Sequence, residues 1–161
     1  MGNKRVNYNL RDIASFTYGT MPKKDLLGSG PYPTFSGYKY QNKYPKFNCN
    51  AGDVIVIARG VGGTGDVKIV REQCYLTNLS IKISLSAEHV DNQYFYYNYL
   101  HSTFRHLDSG SAQSQITIHD LSREPIYLPS LTQQKYISYI LGSLDKKIEL
   151  NRKINETLEQ M

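Results

Sequence analysis

The chain has no tryptophan, only two cysteines among its 161 residues, and no long uninterrupted apolar run. Cys49 and Cys74 match no zinc-ligand spacing and no C-x-x-C pair, so nothing points to a metal and reduced thiols are expected. Nothing approaches the run of about 18 apolar residues that a membrane helix needs, and no apolar N-terminal stretch resembles a signal peptide. A cytoplasmic, non-membrane protein is the expectation. Carboxylates are scattered singly, so the sequence places no pair for acid–base work. They are scarcest in the first third: residues 1–60 hold three Asp/Glu against nine Lys/Arg. Residues 61–130 hold seven against five, and residues 131–161 four against five. The net charge of +5 is therefore concentrated near the start, which favours a polyanionic partner.

Tyrosine is what the chain has in excess, with 14 copies. Its flat apolar face and polar tip suit wet or polar partners, and suit strand surfaces equally well. The length allows one domain with a real core and is too short for two.

Residues 10–16, LRDIASF, are expected to form one short helical turn. Residues 17–46, rich in Gly, Pro, Tyr and Lys, should be mostly loop with short extended pieces. DVIVIAR (53–59) predicts a buried strand, DVKIV (66–70) a second and LSIKISL (79–85) an alternating third. A helix should begin near Asp91 as N-cap, with Tyr97, Leu100, Phe104 and Leu107 recurring three and four apart as one apolar stripe. EPIYLP (124–129) is a short strand ended by Pro129.

From Thr132 to Met161 there is no Pro and the one Gly is Gly142. Ile137, Leu141, Leu144, Ile148, Ile154 and Leu158 fall mostly three or four apart, and Asn151 interrupts the seam. About 30 residues at 1.5 Å each make a rod of roughly 45 Å. Its first part should lean on the domain, and the part from Lys146 onward should protrude as a face for another helix. A polar Asn in such a seam costs stability but can fix register and partner number.

Several tempting motifs fail. RGVGGTGDV contains G-x-G-x-x-G as Gly60, Gly62 and Gly65 after a strand, but the strand-like DVKIV follows where a dinucleotide site needs a helix. Read as a phosphate loop, the same glycines put Asp66 where a lysine belongs. A glycine-rich mobile hairpin that lets backbone approach a ligand is the better reading. His89, His101, His106 and His119 make no metal set, and no methyltransferase or nuclease motif is present. The chain reads as a binder without catalytic or cofactor chemistry.

The residues that fit binding are polar and basic. YKYQNKYPKF (38–47) alternates aromatic and cationic side chains, among them Tyr38, Lys39, Tyr40 and Lys43. Lysines there can neutralise phosphates, with Lys23 and Lys24 adding to the same surface, or can simply guard a solvated strand edge. Arg59 ends a strand and could meet a guanine edge with both guanidinium donors, or pair with a carboxylate such as Asp66. SGSAQSQITIHDL (109–121) holds Ser111, Gln113 and Gln115, and Gln can both donate to and accept from an adenine edge. A plain flexible loop is the alternative.

The order of these pieces carries a resemblance. GPYPTFSGYKYQNKY, then VIVIARGVGGTGDV, then GSAQSQITIHDLSREPIYLPSLTQQKYISYILGSLDKKIELNRKINETLEQM resembles the specificity subunits of type I restriction–modification systems. The C-terminal part is the specific match, and the middle is only suggestive. The resemblance implies an α+β fold: residues 1–131 as a DNA target recognition domain with a small mixed or antiparallel twisted sheet and flanking helices, and residues 132–161 as a coiled-coil-type spacer helix. It implies that the chain reads double-stranded DNA, needs no cofactor, and docks onto adenine methyltransferase and restriction (motor–nuclease) subunits. Carried over, Ile137, Leu141, Leu144, Ile148, Asn151, Ile154 and Leu158 match the spacer helix, and 36–46, 59–66 and 109–117 correspond loosely to recognition loops. Relatives usually carry two recognition domains and this sequence carries one, so a half-subunit that dimerises and a piece of a longer chain both remain open. Ser130 and Thr132–Gln133 stand where the family has Pro and Glu. A protein-interaction adaptor and a single-stranded nucleic-acid binder using tyrosine platforms are the competing expectations.

Overall fold

The computed structural model describes residues 5–37, 39–60, 63–108 and 114–160. Strand β1 (Val6–Asn9) leads into a one-turn helix α1 (Leu10–Ile13) and directly into β2 (Ala14–Tyr18). A 3-10 turn at Lys24–Leu26 precedes the hairpin of β3 (Tyr32–Ser36) and β4 (Lys39–Tyr44). Next come β5 (Val54–Ile57), β6 (Val67–Ile69), β7 (Tyr75–Leu76) and β8 (Ser80–Leu85). Helix α2 (Asn92–Tyr99), a 3-10 turn at Phe104–Leu107, α3 (Ile118–Ser122), β9 (Pro125–Leu128) and the long α4 (Leu131–Glu159) complete the chain. The class is α+β, with sheets ordered β1-β9, β2-β8-β5-β6 and β4-β3-β7; among the paired strands only β3 and β7 run parallel.

Strand β5 is the middle of the molecule. Val54 and Val56 enter the main core with Ile81, Ile83, Phe95, Phe104 and Leu121, whereas Ile55 points to a second core with Phe35, Val70 and Leu76. Burial on both faces is why its sequence is a continuous apolar run rather than an alternating one.

Two expectations need correcting. Residues 17–46 are not mostly loop, because β3 and β4 pair over most of their length. The register shifts at Pro33/Thr34, opposite the left-handed Asn42 (φ 41°), so one extra residue is accommodated as a bulge. Pro33 sits at that irregularity, where a missing N–H is tolerated. The shift also turns Tyr40 and Tyr44 to opposite faces: Tyr40 packs on Phe35 (5.0 Å between ring centroids) and Tyr44 on Tyr75 (4.0 Å). Likewise, the apolar stripe through Leu107 is not one helix. Helix α2 stops at Tyr99, Leu100 is exposed, and the buried residues are Tyr94, Phe95, Tyr99 and Phe104. Thr103 caps the new turn, and the Phe104 N–H donates to the Gly65 carbonyl (2.9 Å) instead of continuing a helical ladder. Asp91 caps α2 as its sequence suggests, accepting from the Tyr94 N–H at 2.8 Å.

Helix α4 spans 29 residues, about 44 Å. Ser130 and Gln133 form its capping box, so the two residues that differ from the family pattern supply an equivalent start. Its first half leans on α2 through a polar seam. Gln134 is fully buried, and its Oε1 accepts from the Asp91 N–H (3.0 Å) while its Nε2 donates to the His89 (2.9 Å) and Pro129 (3.0 Å) carbonyls. Ser138 Oγ donates to Asp91 Oδ1, and the Tyr97 hydroxyl donates to Asp145 Oδ2 at 2.6 Å. Burial, then that carboxylate, pushes the Tyr97 phenol up to about 12.

Gln134→Leu removes all three hydrogen bonds of the buried amide and leaves an N–H and two carbonyls unsatisfied. Equilibrium urea unfolding should show a loss of about 2–4 kcal/mol, whereas a loss below about 0.5 kcal/mol would mean that the seam does not hold α4.

Candidate nucleic-acid interface

Backbone hydrogen bonds gather three segments at one end of the sheets. The Leu79 carbonyl, just before β8, accepts from the N–H groups of Ala58 (2.9 Å) and Arg59 (3.1 Å). The next carbonyl, Ser80, accepts from the Gly19 N–H (3.0 Å), and the Ser80 hydroxyl donates to the Gly37 carbonyl (3.5 Å) in the β3–β4 turn. Ile116 N–H donates to the Ala58 carbonyl (2.9 Å), placing Gln115 opposite Arg59 in an isolated antiparallel bridge. The Tyr18 hydroxyl, at the end of β2, accepts from the Ile118 N–H (3.2 Å). The β3–β4 turn, the glycine turn after β5 and the segment before α3 are thus neighbours, although far apart in sequence.

The glycine turn is a hairpin and not a phosphate loop, since β5 and β6 on either side of it pair antiparallel. Thr64 Oγ1 donates to the Gly60 carbonyl (3.0 Å) across its mouth. Gly65 has φ +91°, and a Cβ there would lie 2.4 Å from the Arg105 backbone nitrogen, so only glycine lets this turn rest on residues 104–105. Asp66 pairs with Lys68 at 3.9 Å rather than with Arg59.

The basic residues form a second group along β4. Lys39 and Lys43 are exposed on the strand and Lys46 just beyond it. The Lys23 N–H donates to the Tyr44 hydroxyl (3.2 Å) and the Gly28 N–H to the Lys43 carbonyl (2.9 Å), which brings the Lys23–Lys24 loop onto the same strand. Among the described residues, no ion pair engages Lys23, Lys24, Lys43, Lys46 or Arg59. A run of unneutralised cations is what a phosphate backbone binds. Tyr40 stands apart from these lysines. It is half-buried against Phe35, its hydroxyl accepts from the Arg71 N–H (3.3 Å), and burial pushes its phenol up. Tyr38, Ser111 and Gln113 lie outside the described residues.

Tyr44, Tyr75, Tyr94 and Tyr99 are buried and offer no platform for stacked bases, whereas Tyr18, Tyr127, Tyr136 and Tyr139 are exposed. Cys49 and Cys74 face each other across an isolated antiparallel bridge, both fully buried and free. The hydrogen bond to Cys74, and then burial, pushes the Cys49 thiol up. Among the described residues, no three His, Cys, Asp or Glu side chains cluster as metal ligands, and no helix is long and apolar enough to cross a membrane.

The apolar seam of α4 divides in two. Ile137 packs on the main core and Leu141 is half-buried, whereas Leu144, Ile148, Asn151, Ile154 and Leu158 are exposed. Periodicity alone missed four further exposed apolar side chains on this helix, Tyr136, Tyr139, Ile140 and Leu150. It also missed Asp108, whose Oδ1 accepts from the Gln115 N–H (2.8 Å) and Oδ2 from the Ser114 hydroxyl. A lone Asp in a polar loop gives no sequence signal of that kind.

The chain is similar to known proteins. The chain is 29% identical over 130 residues to the type I restriction enzyme MjaVIII specificity subunit of Methanocaldococcus jannaschii, covering 75% of this chain and 31% of that protein. It is 31% identical over 110 residues to the putative type I restriction enzyme MjaX specificity subunit of the same organism, covering 67% of this chain and 25% of that protein. The chain thus spans a third or less of the curated relatives' length. Among solved structures, the type I restriction–modification S subunit from M. genitalium superposes with a TM-score of 0.79 at 24% identity over 93% of this chain and 43% of that one. The HsdS subunit from Thermoanaerobacter tengcongensis gives 0.68 at 18% identity over 91% of this chain and 38% of that one. These likenesses establish the fold. The model of the type I restriction modification DNA specificity domain matches residues 3–160, nearly the whole sequence, and the chain therefore belongs to that family.

Proposed function

We propose that this chain reads one half of a split double-stranded DNA target, with residues 1–131 as the reading part and 132–161 as the spacer and pairing helix. It does no chemistry and uses no cofactor. In the cytoplasm it directs an adenine methyltransferase subunit and a motor–nuclease subunit to the site, as a two-fold dimer through α4. The observation that carries the reading is the convergence of the Gly37, Arg59 and Gln115 segments on Leu79–Ser80. Exposed lysines on and beside β4 accompany them, and among the described residues no ion pair engages Lys23, Lys24, Lys43 or Lys46. Lysines of this kind position a duplex, while amide and guanidinium groups can read base edges.

A few base pairs suit one small domain, each contributing about 1–3 kcal/mol of discrimination. One copy alone should show little sequence preference, and pairing two copies adds affinity and predicts a two-fold symmetric target. The support for pairing is the outer half of α4. Leu144, Ile148, Ile154 and Leu158 are each about half exposed or more, the last at 63%, on a stretch that an isolated helix would hold only marginally. Asn151 in that seam would fix register, and Tyr136, Tyr139 and Ile140 offer surface for a methyltransferase subunit.

Coexpression with a type I methyltransferase subunit from the same source, followed by genome-wide mapping of adenine methylation, tests the reading. The expected result is a split, two-fold symmetric motif. An asymmetric split motif would place the second half in another chain, and no motif with both proteins soluble would overturn the DNA-reading role. Sedimentation at about 20 µM should show a dimer that Leu144→Asp with Leu158→Asp converts to a monomer. A wild-type monomer under those conditions would overturn pairing through α4.

A further inference from the structure

Arg59 and Gln115 form an unusual pair. The bond flanking them runs from the Ile116 N–H to the Ala58 carbonyl (2.9 Å), which makes this the non-hydrogen-bonded kind of antiparallel pair. In such pairs the Cα atoms stand only about 4.5 Å apart and the two side chains leave from the same face. The N–H groups of the two residues point outward, away from each other, and both are satisfied from outside. Arg59 N–H donates to the Leu79 carbonyl (3.1 Å), and Gln115 N–H donates to Asp108 Oδ1 (2.8 Å). The other Asp108 oxygen takes the Ser114 hydroxyl, so one carboxylate holds two successive residues. The Leu79 carbonyl on one side and a carboxylate on the other therefore clamp the pair. Yet the side chains it presents are uncommitted: Arg59 is exposed, Gln115 is half-buried, and neither side chain has a polar partner among the described residues.

We infer that Arg59 and Gln115 act as one two-residue reading head for adjacent base pairs, and that Asp108 is the positioning residue that fixes it. The inference rests on the DNA-reading role proposed above. The chemistry names the partner: a guanidinium takes the two acceptors of a guanine edge, and a carboxamide takes the donor and acceptor of an adenine edge. A separation of about 4.5 Å at the backbone matches neighbouring steps of a duplex stacked about 3.4 Å apart. The half-site should then contain a G·C pair directly beside an A·T pair. Asp108 contributes no base contact. Its charge is taken up by N–H and O–H donors, which lets a carboxylate sit near DNA without facing it.

Methylation mapping of variants of the full chain, coexpressed with the methyltransferase subunit, tests this. Arg59→Ala should lower discrimination at one G·C position by about ten-fold or more, and Gln115→Ala should do so at the adjacent A·T position. Asp108→Ala should relax both positions together and leave the rest of the motif intact. Asp108→Asn keeps an acceptor for the Gln115 N–H and should restore both. A merely structural role for Asp108 would lower methylation at every position alike, and that pattern would overturn its assignment. A sharp wild-type motif that neither alanine variant changes, or two relaxed positions that are not adjacent, would overturn the reading head while leaving the DNA-reading role standing. A wild-type chain that directs no motif would overturn the DNA-reading role and this inference with it.

Discussion

Two backbone carbonyls, those of Leu79 and Ser80, organise one whole end of the molecule. Buried carbonyls must be paired, and a strand that enters a sheet normally pairs them with its neighbours alone. Here they take three N–H groups from two segments, Gly19 and Ala58–Arg59, while the Ser80 hydroxyl reaches the β3–β4 turn. The Ala58–Arg59 segment directly follows β5, so these bonds lie at the end of a strand that is buried on both faces. The polar segments therefore project from a fixed base, which suits side chains that must meet base edges with defined geometry.

The other end follows a different rule. Helix α4 is held to the domain by polar groups as well as by Ile137 on the main core, with Gln134, Ser138 and Asp145 all bonded to α2 or its cap. Spending polar groups inward leaves apolar ones outward, at Tyr139, Ile140, Leu144, Ile148 and beyond. That exposed apolar face is the surface on which the proposed pairing rests. The groove where α4 leaves the domain, about 720 Å³ and lined by Arg71, Tyr96, Lys146 and Ile148 among others, continues that surface. Residues 131–145 carry the bonds to the domain, and the pairing proposed above would use the exposed apolar side chains from Leu144 outward.

Much of this was legible in the sequence, for reasons that differ by element. The run VIVI announced a strand buried on both faces, and the spacing of apolar residues after Thr132 announced α4. The β3–β4 hairpin was hidden by Pro33 and by the bulge at Asn42, which break the alternation a strand should show. The break after Tyr99 was hidden because it is made by tertiary contact, the Gly65 carbonyl capturing the Phe104 N–H. Lysines of the candidate interface could be named from composition, but the alternating tyrosines beside them could not be told apart: Tyr40 and Tyr44 support the cores. That Arg59 and Gln115 are partners, and that Gln134 is interior, depends on chain crossings that no local pattern encodes.

In the proposed role, the segments gathered around Leu79–Ser80 form one DNA-facing surface. Hydrogen exchange of the full chain, with and without duplex DNA at low salt, addresses it directly. Amides of residues 39–46, 58–64 and 114–117 should slow together when DNA is added, while those of 146–159 should not change. Slowing confined to α4, or in only one of the three segments, would contradict it.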